Sequence, residues 1–443
     1  MNLHESEKLA GMLEALGVIE TNEQSEADII LINTCTIRKN ADNRAIGNLG
    51  YIKTIKEKNP KLIVCVFGCM TQAGDSAKKL SKKFPFINII FGTHNLYKFT
   101  DYLSSALEDK RIIEIFDNSG DKAKEVIEGL PTKRVTGVNA WVNIMYGCDN
   151  YCTYCIVPFV RGKERSREPE LIIDEVKKLL VMGYKEITLL GQNVNSYNAI
   201  DKEEKKVNFA NLLETLAVLP HKFRLRFMTS HPKDLSDEVI SVIAKHDNIP
   251  EFFHLPVQSG SSRVLELMNR KYTKEHYLAT IEKIKKAIPS AGFSSDVMVG
   301  FPCETEEDFL DTLDLIEKVK FHNLFMFVFS PRDGTKASEM DGQIEKNVSQ
   351  DRFNRLEALQ KKIALELAKE NIGKTYEVLV DEYDEIKSRL RGKTASGKII
   401  WIPLKPENED KKLQKSDLEK HLGEFIKVKV TSTRNTNLYG EII

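Results

Sequence analysis

Between about residues 137 and 371 the sequence repeats one pattern, a short apolar run followed by a longer stretch of helical period. The runs are WVNIMYG, KEITLLGQ, RLRFMTS, FFHLPVQ, FSSDVMVGFP and NLFMFVFS, with segments such as PELIIDEVKKLLVMG and TEEDFLDTLDLIEKV between them. Apolar runs of this kind suit strands buried on both faces, as in parallel sheets. Strand–helix units of this length, repeated, predict a parallel barrel, full or partial. A long charged helix is expected over about 345–371.

Two further regions flank this one. Residues 1 to about 115 also alternate helix and strand: HESEKLAGMLEALG is helical in period, and ADIILINTC and KLIVCVFGC read as buried parallel strands. A flavodoxin-like parallel sheet is expected there. The polar, turn-rich segment of about 116–136, DNSGDKAKEVIEGLPTKRV, reads as a linker. From about 374 to 443 the runs TYEVLVDEY, KSRLRGKT, KIIWIPL and EFIKVKVTSTR read as short strands, which predicts a small OB-like β-barrel. The fold class is therefore α/β with a C-terminal barrel.

Formal net charge is zero, so any nucleic-acid site must come from local patches. No apolar run reaches spanning length and the N-terminus lacks signal-peptide character, so a cytoplasmic protein with no membrane association is expected. The seven cysteines are residues 35, 65, 69, 148, 152, 155 and 303. An odd number in a reducing compartment points to metal or catalytic roles rather than disulfides.

Three of them, Cys148, Cys152 and Cys155, stand in CDNYCTYC with spacing C-x3-C-x2-C. Thiolates are soft ligands for zinc or iron–sulfur. A structural zinc site takes four protein ligands, and no neighbouring His or Cys supplies a fourth. A [4Fe–4S] cluster on three thiolates leaves one iron open for a substrate or cofactor. The triplet follows the first barrel run, and parallel barrels carry their chemistry at the C-terminal ends of strands. A zinc knuckle or buried structural cysteines is the alternative.

The spacing and setting resemble the radical S-adenosylmethionine (AdoMet) superfamily. The resemblance extends along the whole chain. YGCDNYCTYCIVPFVRGKERSR, LLGQNVNSY, HLPVQSGSSRVLELMNRKYT, VGFPCETEEDF and FSPRDGTKA look like the signatures of the MiaB-type tRNA methylthiotransferases. NTCTIRKNA and FGCM match that family's N-terminal domain, and the last region resembles its TRAM RNA-binding domain.

The resemblance implies that Cys148, Cys152 and Cys155 hold a cluster that binds AdoMet and yields a 5′-deoxyadenosyl radical. It implies a second [4Fe–4S] cluster in the N-terminal domain, on Cys35 and Cys69 with a third cysteine, and two AdoMet per turnover. The product is a 2-methylthio group at C2 of an N6-isopentenyladenosine beside the anticodon. Implied AdoMet contacts are Gln192, Asn193, Ser230 (with His231), Gln258, Ser259, Asp296 and Gly300, most of them following candidate strands. Each residue type is also common in such loops; their shared placement is what groups them. Rival branches act on threonylcarbamoyladenosine in tRNA or, in RimO-type enzymes, on a ribosomal protein. Implied partners are a tRNA anticodon stem-loop, an electron donor such as flavodoxin or ferredoxin, and a cluster-assembly or sulfur-donor protein. A monomer is expected.

In the family the first auxiliary ligand lies in a Gly-Cys-Gln-Met-Asn turn after the first strand. This sequence begins Met1-Asn2 and matches only the last two letters. A displaced start codon or a trimmed chain is the simplest explanation. The missing strand, expected in mid-sheet, would leave its neighbours without ladder partners. A chain that truly lacks this ligand would be an RNA-binding iron–sulfur protein unable to transfer sulfur.

Of the other cysteines, Cys65 falls inside a strand and reads as core packing, and Cys303 replaces a glycine more usual in the family. His254 reads as a core or site-lining residue. The basic runs 161–167 and 387–398 would alone be solvated surface; beside the barrel mouth and on a TRAM-like barrel they read as phosphate contacts, with Trp401 and Tyr439 candidates for base stacking or for the barrel core.

Overall fold

The computed structural model describes residues 2–36, 39–116, 128–134, 137–404 and 415–443. Most of the expected linker lies outside them. The chain forms two compact units. One comprises Met1–Val135, Met145–Ser166 and Ser330–Glu339; the other comprises Thr136–Ile144, Arg167–Phe329 and Met340–Ile443. The cysteine loop and most of FSPRDGTKA thus group with the N-terminal region.

The first unit is built on a parallel sheet of β1 (Ile29–Thr34), β2 (Ile63–Gly68), β3 (Ile89–Phe91) and β4 (Ile112–Glu114), in that order. Alternate residues face opposite layers. Val64, Val66 and Ile90 join a core with Leu49, Ile52 and Ile55 from the helix Lys39–Lys58 and Leu80 from the helix Ser76–Lys83. Ile63, Cys65, Phe67, Ile89 and Phe91 join one with Leu9 and Met12 from the helix Asn2–Ala15 and with Phe99, Tyr102 and Leu103 from the helix Phe99–Leu107. Each fully buried Leu, Ile or Phe contributes about 1.5–3 kcal/mol. Burial on both faces explains the unbroken apolar runs.

One expectation fails here. β1 and β2 are not left without ladder partners; they pair directly from Ile29↔Ile63 to Thr34↔Gly68. β1 is nevertheless an edge strand, half-buried from Ile29 to Asn33. The first unit also contains a short antiparallel pair, β6 (Met145–Tyr146) with β7 (Arg165–Ser166).

In the second unit six parallel strands form two three-stranded sheets. One contains β5 (Asn139–Asn143), β8 (Glu186–Leu190) and β11 (Arg224–Phe227); the other contains β12 (Phe252–His254), β13 (Gly292–Val299) and β14 (Asn323–Val328). This is the partial (β/α) barrel expected, and the long helix runs Lys346–Lys369. Sequence reasoning missed a hairpin of β9 (Asn198–Ile200) and β10 (Lys206–Asn208). The inward residues, among them Trp141, Thr188, Arg226, His254, Ser294 and Phe325, line a cavity of about 190 Å³.

The C-terminal barrel is closed by β15 (Thr375–Asp384), β16 (Arg389–Thr394), β17 (Ile399–Pro403), β18 (Phe425–Arg434) and β19 (Asn437–Ile442). Register shifts at Val380/Glu382 and Val430/Ser432 give the bends that closure requires. The β16–β17 turn meets the starts of barrel strands. Arg226 Nη2 donates to Thr394 O (3.0 Å), and Lys393 Nζ lies 2.9 Å from Glu186 Oε1, whose carboxylate also pairs with Arg226. Beside this junction lies a second cavity, about 640 Å³, lined by Arg224, Ala291, His322 and Lys398. It sits at strand starts, away from the predicted site residues.

Candidate functional site

The three-cysteine segment is a closed loop. The β6–β7 pair joins its ends, and Cys148 N donates to Gly162 O (3.1 Å). Such a loop holds its contents with its own contacts. Cys155 N donates to Cys152 O (2.9 Å), and Asn150 Nδ2 lies 3.4 Å from Cys148 Sγ. Burial pushes the Cys148 thiol up, Asn150 pulls it down, and Glu164 and Cys152 raise it further. Cys152 is buried; Cys148 and Cys155 are half-buried. Among the described residues no three His, Cys, Asp or Glu side chains are gathered into a metal cage. The donor chemistry would suit a thiophilic cluster: three soft thiols carried on one closed loop.

Cys35 and Cys69 stand at the ends of β1 and β2. Gly68, before Cys69, has φ +109°, and a Cβ there would sit 2.4 Å from Thr34 O. Only glycine allows the two strand ends to come this close. Burial raises the Cys69 thiol, Arg161 opposes this, and Cys35 is near enough to add to the rise. Cys69 packs against Ile156 and Val160, so it touches the cysteine loop. Cys65 is fully buried in β2, as expected. Arg332, from FSPRDGTKA, pairs with Asp42 (3.1 Å) and reaches Thr36 beside Cys35 (3.4 Å).

In the second unit the predicted AdoMet contacts have varied surroundings. Gln192 and Asn193 follow β8, Ser230 follows β11, Gln258 and Ser259 follow β12, and Gly300 follows β13. Backbone at Thr229 (φ +72°) and Gln258 (φ +69°) is left-handed, so two barrel strands are followed by strained turns, while Gly300 (φ +71°) takes the same conformation freely. Such strain gathers at functional sites.

Asn193 bridges two loops, accepting from His231 N (3.1 Å) and donating to Asp234 (2.7 Å). Ser230 Oγ reaches Asn195 Oδ1 (3.3 Å). Burial, with Arg270 and Lys233 nearby, pushes His231 down to about 2, so it is neutral.

Ser259 is turned into the helix Glu306–Val319, 3.4 Å from Thr312 Oγ1. A Cβ on Gly300 would meet Ser349 Oγ at 2.3 Å, so this glycine serves packing too. Asp296 lies inside β13, 3.8 Å from His254 Nε2, and His254 lines the barrel interior as expected. Cys303 has φ +64°, in the left-handed region that glycine enters most readily.

The basic-patch reading needs correction. Arg161 and Arg167 are buried, and Arg167 bonds Asn143 O (2.5 Å) and Glu175 (2.8 Å). In the second patch Arg389 pairs with Asp384 and stacks on Trp401 at 3.8 Å, Arg391 pairs with Asp381, and Lys393 with Glu186. Arg389 also lies 3.5 Å from the Tyr439 hydroxyl. These cations serve the fold first. Lys163 remains exposed, and Tyr151 and Phe159 form an edge-to-face pair at 46% and 49% exposure.

Comparisons with known proteins bear on this geometry. A model described as the radical SAM superfamily matches residues 142–316. One described as uncharacterized protein family UPF0004 matches 1–92, and a TRAM domain model matches 369–443. The chain is 46% identical over 444 residues to a Caldicellulosiruptor saccharolyticus protein named tRNA-2-methylthio-N(6)-dimethylallyladenosine synthase, covering 100% of this chain and 90% of that one. It is 47% identical over 448 residues to a Clostridium perfringens protein of the same name, covering 100% and 95%. Among solved structures, the radical S-adenosylmethionine methyltransferase TsrM of Kitasatospora setae superposes with a TM-score of 0.52 at 14% identity, over 75% of this chain and 66% of that one. That likeness concerns the fold alone.

Proposed function

The chain belongs to the tRNA-2-methylthio-N(6)-dimethylallyladenosine synthase family, and from that premise we propose that it adds a methylthio group to C2 of N6-isopentenyladenosine beside a tRNA anticodon. The observation that carries this reading is the closed loop presenting Cys148, Cys152 and Cys155 within a radical SAM match. An iron–sulfur cluster and AdoMet are the cofactors. When bound, such a cluster would pass one electron from an outside reductant to AdoMet, the radical chemistry that activation of the adenosine C2–H bond calls for.

The chain's residues hold and orient. The three cysteines ligate the cluster as thiolates. Gln192, Asn193, Ser230, Gln258, Ser259 and Gly300 at the barrel strand ends, with Asp296 inside β13, form or support the AdoMet pocket. Within this set, Asn193 and Gly300 shape the backbone, given their bonds and packing. Cys35 and Cys69, with a third cysteine that the resemblance implies, would hold a second cluster at the strand ends of the N-terminal sheet, which would supply the transferred sulfur. Open α/β sheets bind ligands at such strand ends.

The TRAM match supports RNA binding. The exposed Tyr151–Phe159 pair, on the same closed loop as the exposed Lys163, suits a base splayed out of an anticodon loop.

The test is nucleoside mass spectrometry on tRNA carrying isopentenyladenosine, incubated anaerobically with reconstituted protein, AdoMet and a reductant. The reading predicts a 2-methylthio derivative of that nucleoside. Unmodified tRNA alongside 5′-deoxyadenosine formation would contradict sulfur transfer by this chain.

A further inference from the structure

Arg161 closes the short helix Val157–Arg161 that follows the last cysteine of the loop, and is 5% exposed. Its Nε donates to Cys69 Sγ (3.3 Å) across 92 residues of chain. Its other nitrogens bind Glu5 Oε1, Glu5 Oε2 (3.1 Å) and Asn2 Oδ1 (3.0 Å). Glu5 is itself buried at 6% exposure. A buried ion pair is a poor route to stability, since apolar residues of similar volume do as well or better. The thiol partner is what an ordinary structural pair would not need. Arg161 also precedes Gly162, whose carbonyl closes the cysteine loop on Cys148 N.

We infer that Arg161 is a positioning residue that fixes the Cys69 sulfur against the neck of the Cys148–Cys155 loop, keeping the N-terminal thiol site in register for sulfur transfer. The fork geometry matters. A guanidinium can hold a carboxylate on one edge while its Nε–H is aimed elsewhere, which an ammonium cannot do. Glu5 and Asn2 fix the plane, and the plane aims Nε at sulfur. The inference rests on the reading of Cys69 as part of the second site.

The apo protein offers a test independent of turnover. A buried thiol is alkylated only after local opening, and the opened thiol is solvated whatever its closed-state neighbours, so the rate reports opening. N-ethylmaleimide labelling of the native protein, read by peptide mass spectrometry, compares Cys69 with Cys65, which is 0% exposed in the same sheet. Arg161→Gln is expected to raise Cys69 labelling at least about tenfold, about 1.4 kcal/mol of opening, with Cys65 unchanged. Arg161→Lys, the milder variant should the first not fold, falls between it and wild type. Unchanged Cys69 labelling overturns the inference. So does a matched rise at Cys65, because Arg161 would then only hold the domain together.

In reconstituted protein, the ratio of methylthiolated nucleoside to 5′-deoxyadenosine should fall at least about fivefold in Arg161→Lys; an unaltered ratio also overturns it. A wild-type protein that makes no methylthio product counts against the proposed function, and the labelling result still decides on Arg161.

Discussion

Two basic segments that look alike in the sequence, 161–167 and 387–398, do different work in the fold. In the first, Arg161 and Arg167 are turned inward, one onto a thiol and a glutamate, the other onto a strand carbonyl and Glu175. In the second, Arg389 and Arg391 pair along their own barrel while Lys393 reaches Glu186 at a barrel strand start. Lys163 in the first and Lys387 in the second are exposed and keep the character first read into both. Local charge density does not distinguish a phosphate contact from a clamp; the distinction lies in whether a carboxylate or sulfur waits across the fold.

The largest effect expected concerns Glu186. It is 1% exposed and faces Arg226 and Lys393. Glu186→Ala leaves two cations without their partner and should cost about 3–5 kcal/mol in denaturant unfolding. The exposed pair Lys222–Glu377 sets the contrast: Glu377→Ala should cost at most about 1 kcal/mol. Equal losses would erase the distinction between clamp and surface charge.

Next comes the loop surface. Tyr151→Ala or Phe159→Ala should weaken anticodon stem-loop binding by about 1–3 kcal/mol, in a titration at fixed salt, if each ring stacks on a base. Gly300→Ala should cost about 1–3 kcal/mol of stability through its positive φ and the contact with Ser349. Smaller still, Lys163→Ala should lower the salt slope of RNA binding by about 1, and Arg391→Ala should leave it unchanged.

Acid should separate two groups by window. Burial, with Lys398 nearby, holds His322 down to about 4 from 6.5. The unfolded chain therefore takes up a proton first, and this contribution to stability is lost as pH falls from about 6.5 to about 4. Burial alone would raise Glu186, but Arg226 and Lys393 outweigh it and hold the carboxyl below 4.5. Its contribution is complete above that value and is lost below it. His322→Gln should flatten the upper limb of a stability–pH curve, and Glu186→Gln the lower.

Much of this was legible in the sequence. The barrel strands and the N-terminal sheet could be read because strands buried on both faces carry unbroken apolar runs. The helix Glu306–Val319 could be placed from the helical period of TEEDFLDTLDLIEKV, and the structure adds a capping box of Thr305 and Asp308 at its start. What was illegible is long-range. Nothing near Arg161 announces Cys69, and nothing near Lys393 announces Glu186. The direct pairing of β1 with β2 was missed because a sheet is a set of partners, and partners are not written in a strand's own residues. Ser259 and Gly300 show the same limit: their place at strand ends was readable, their packing against helices was not.

The central claim is that the closed loop at 148–155 generates the radical. It is tested most directly by measuring 5′-deoxyadenosine formed from AdoMet under anaerobic reduction, in wild type and in the Cys148→Ala, Cys152→Ala, Cys155→Ala triple variant. The account predicts formation in wild type and none above background in the variant, with Cys69→Ala retaining it. Formation that persists in the triple variant would contradict the claim.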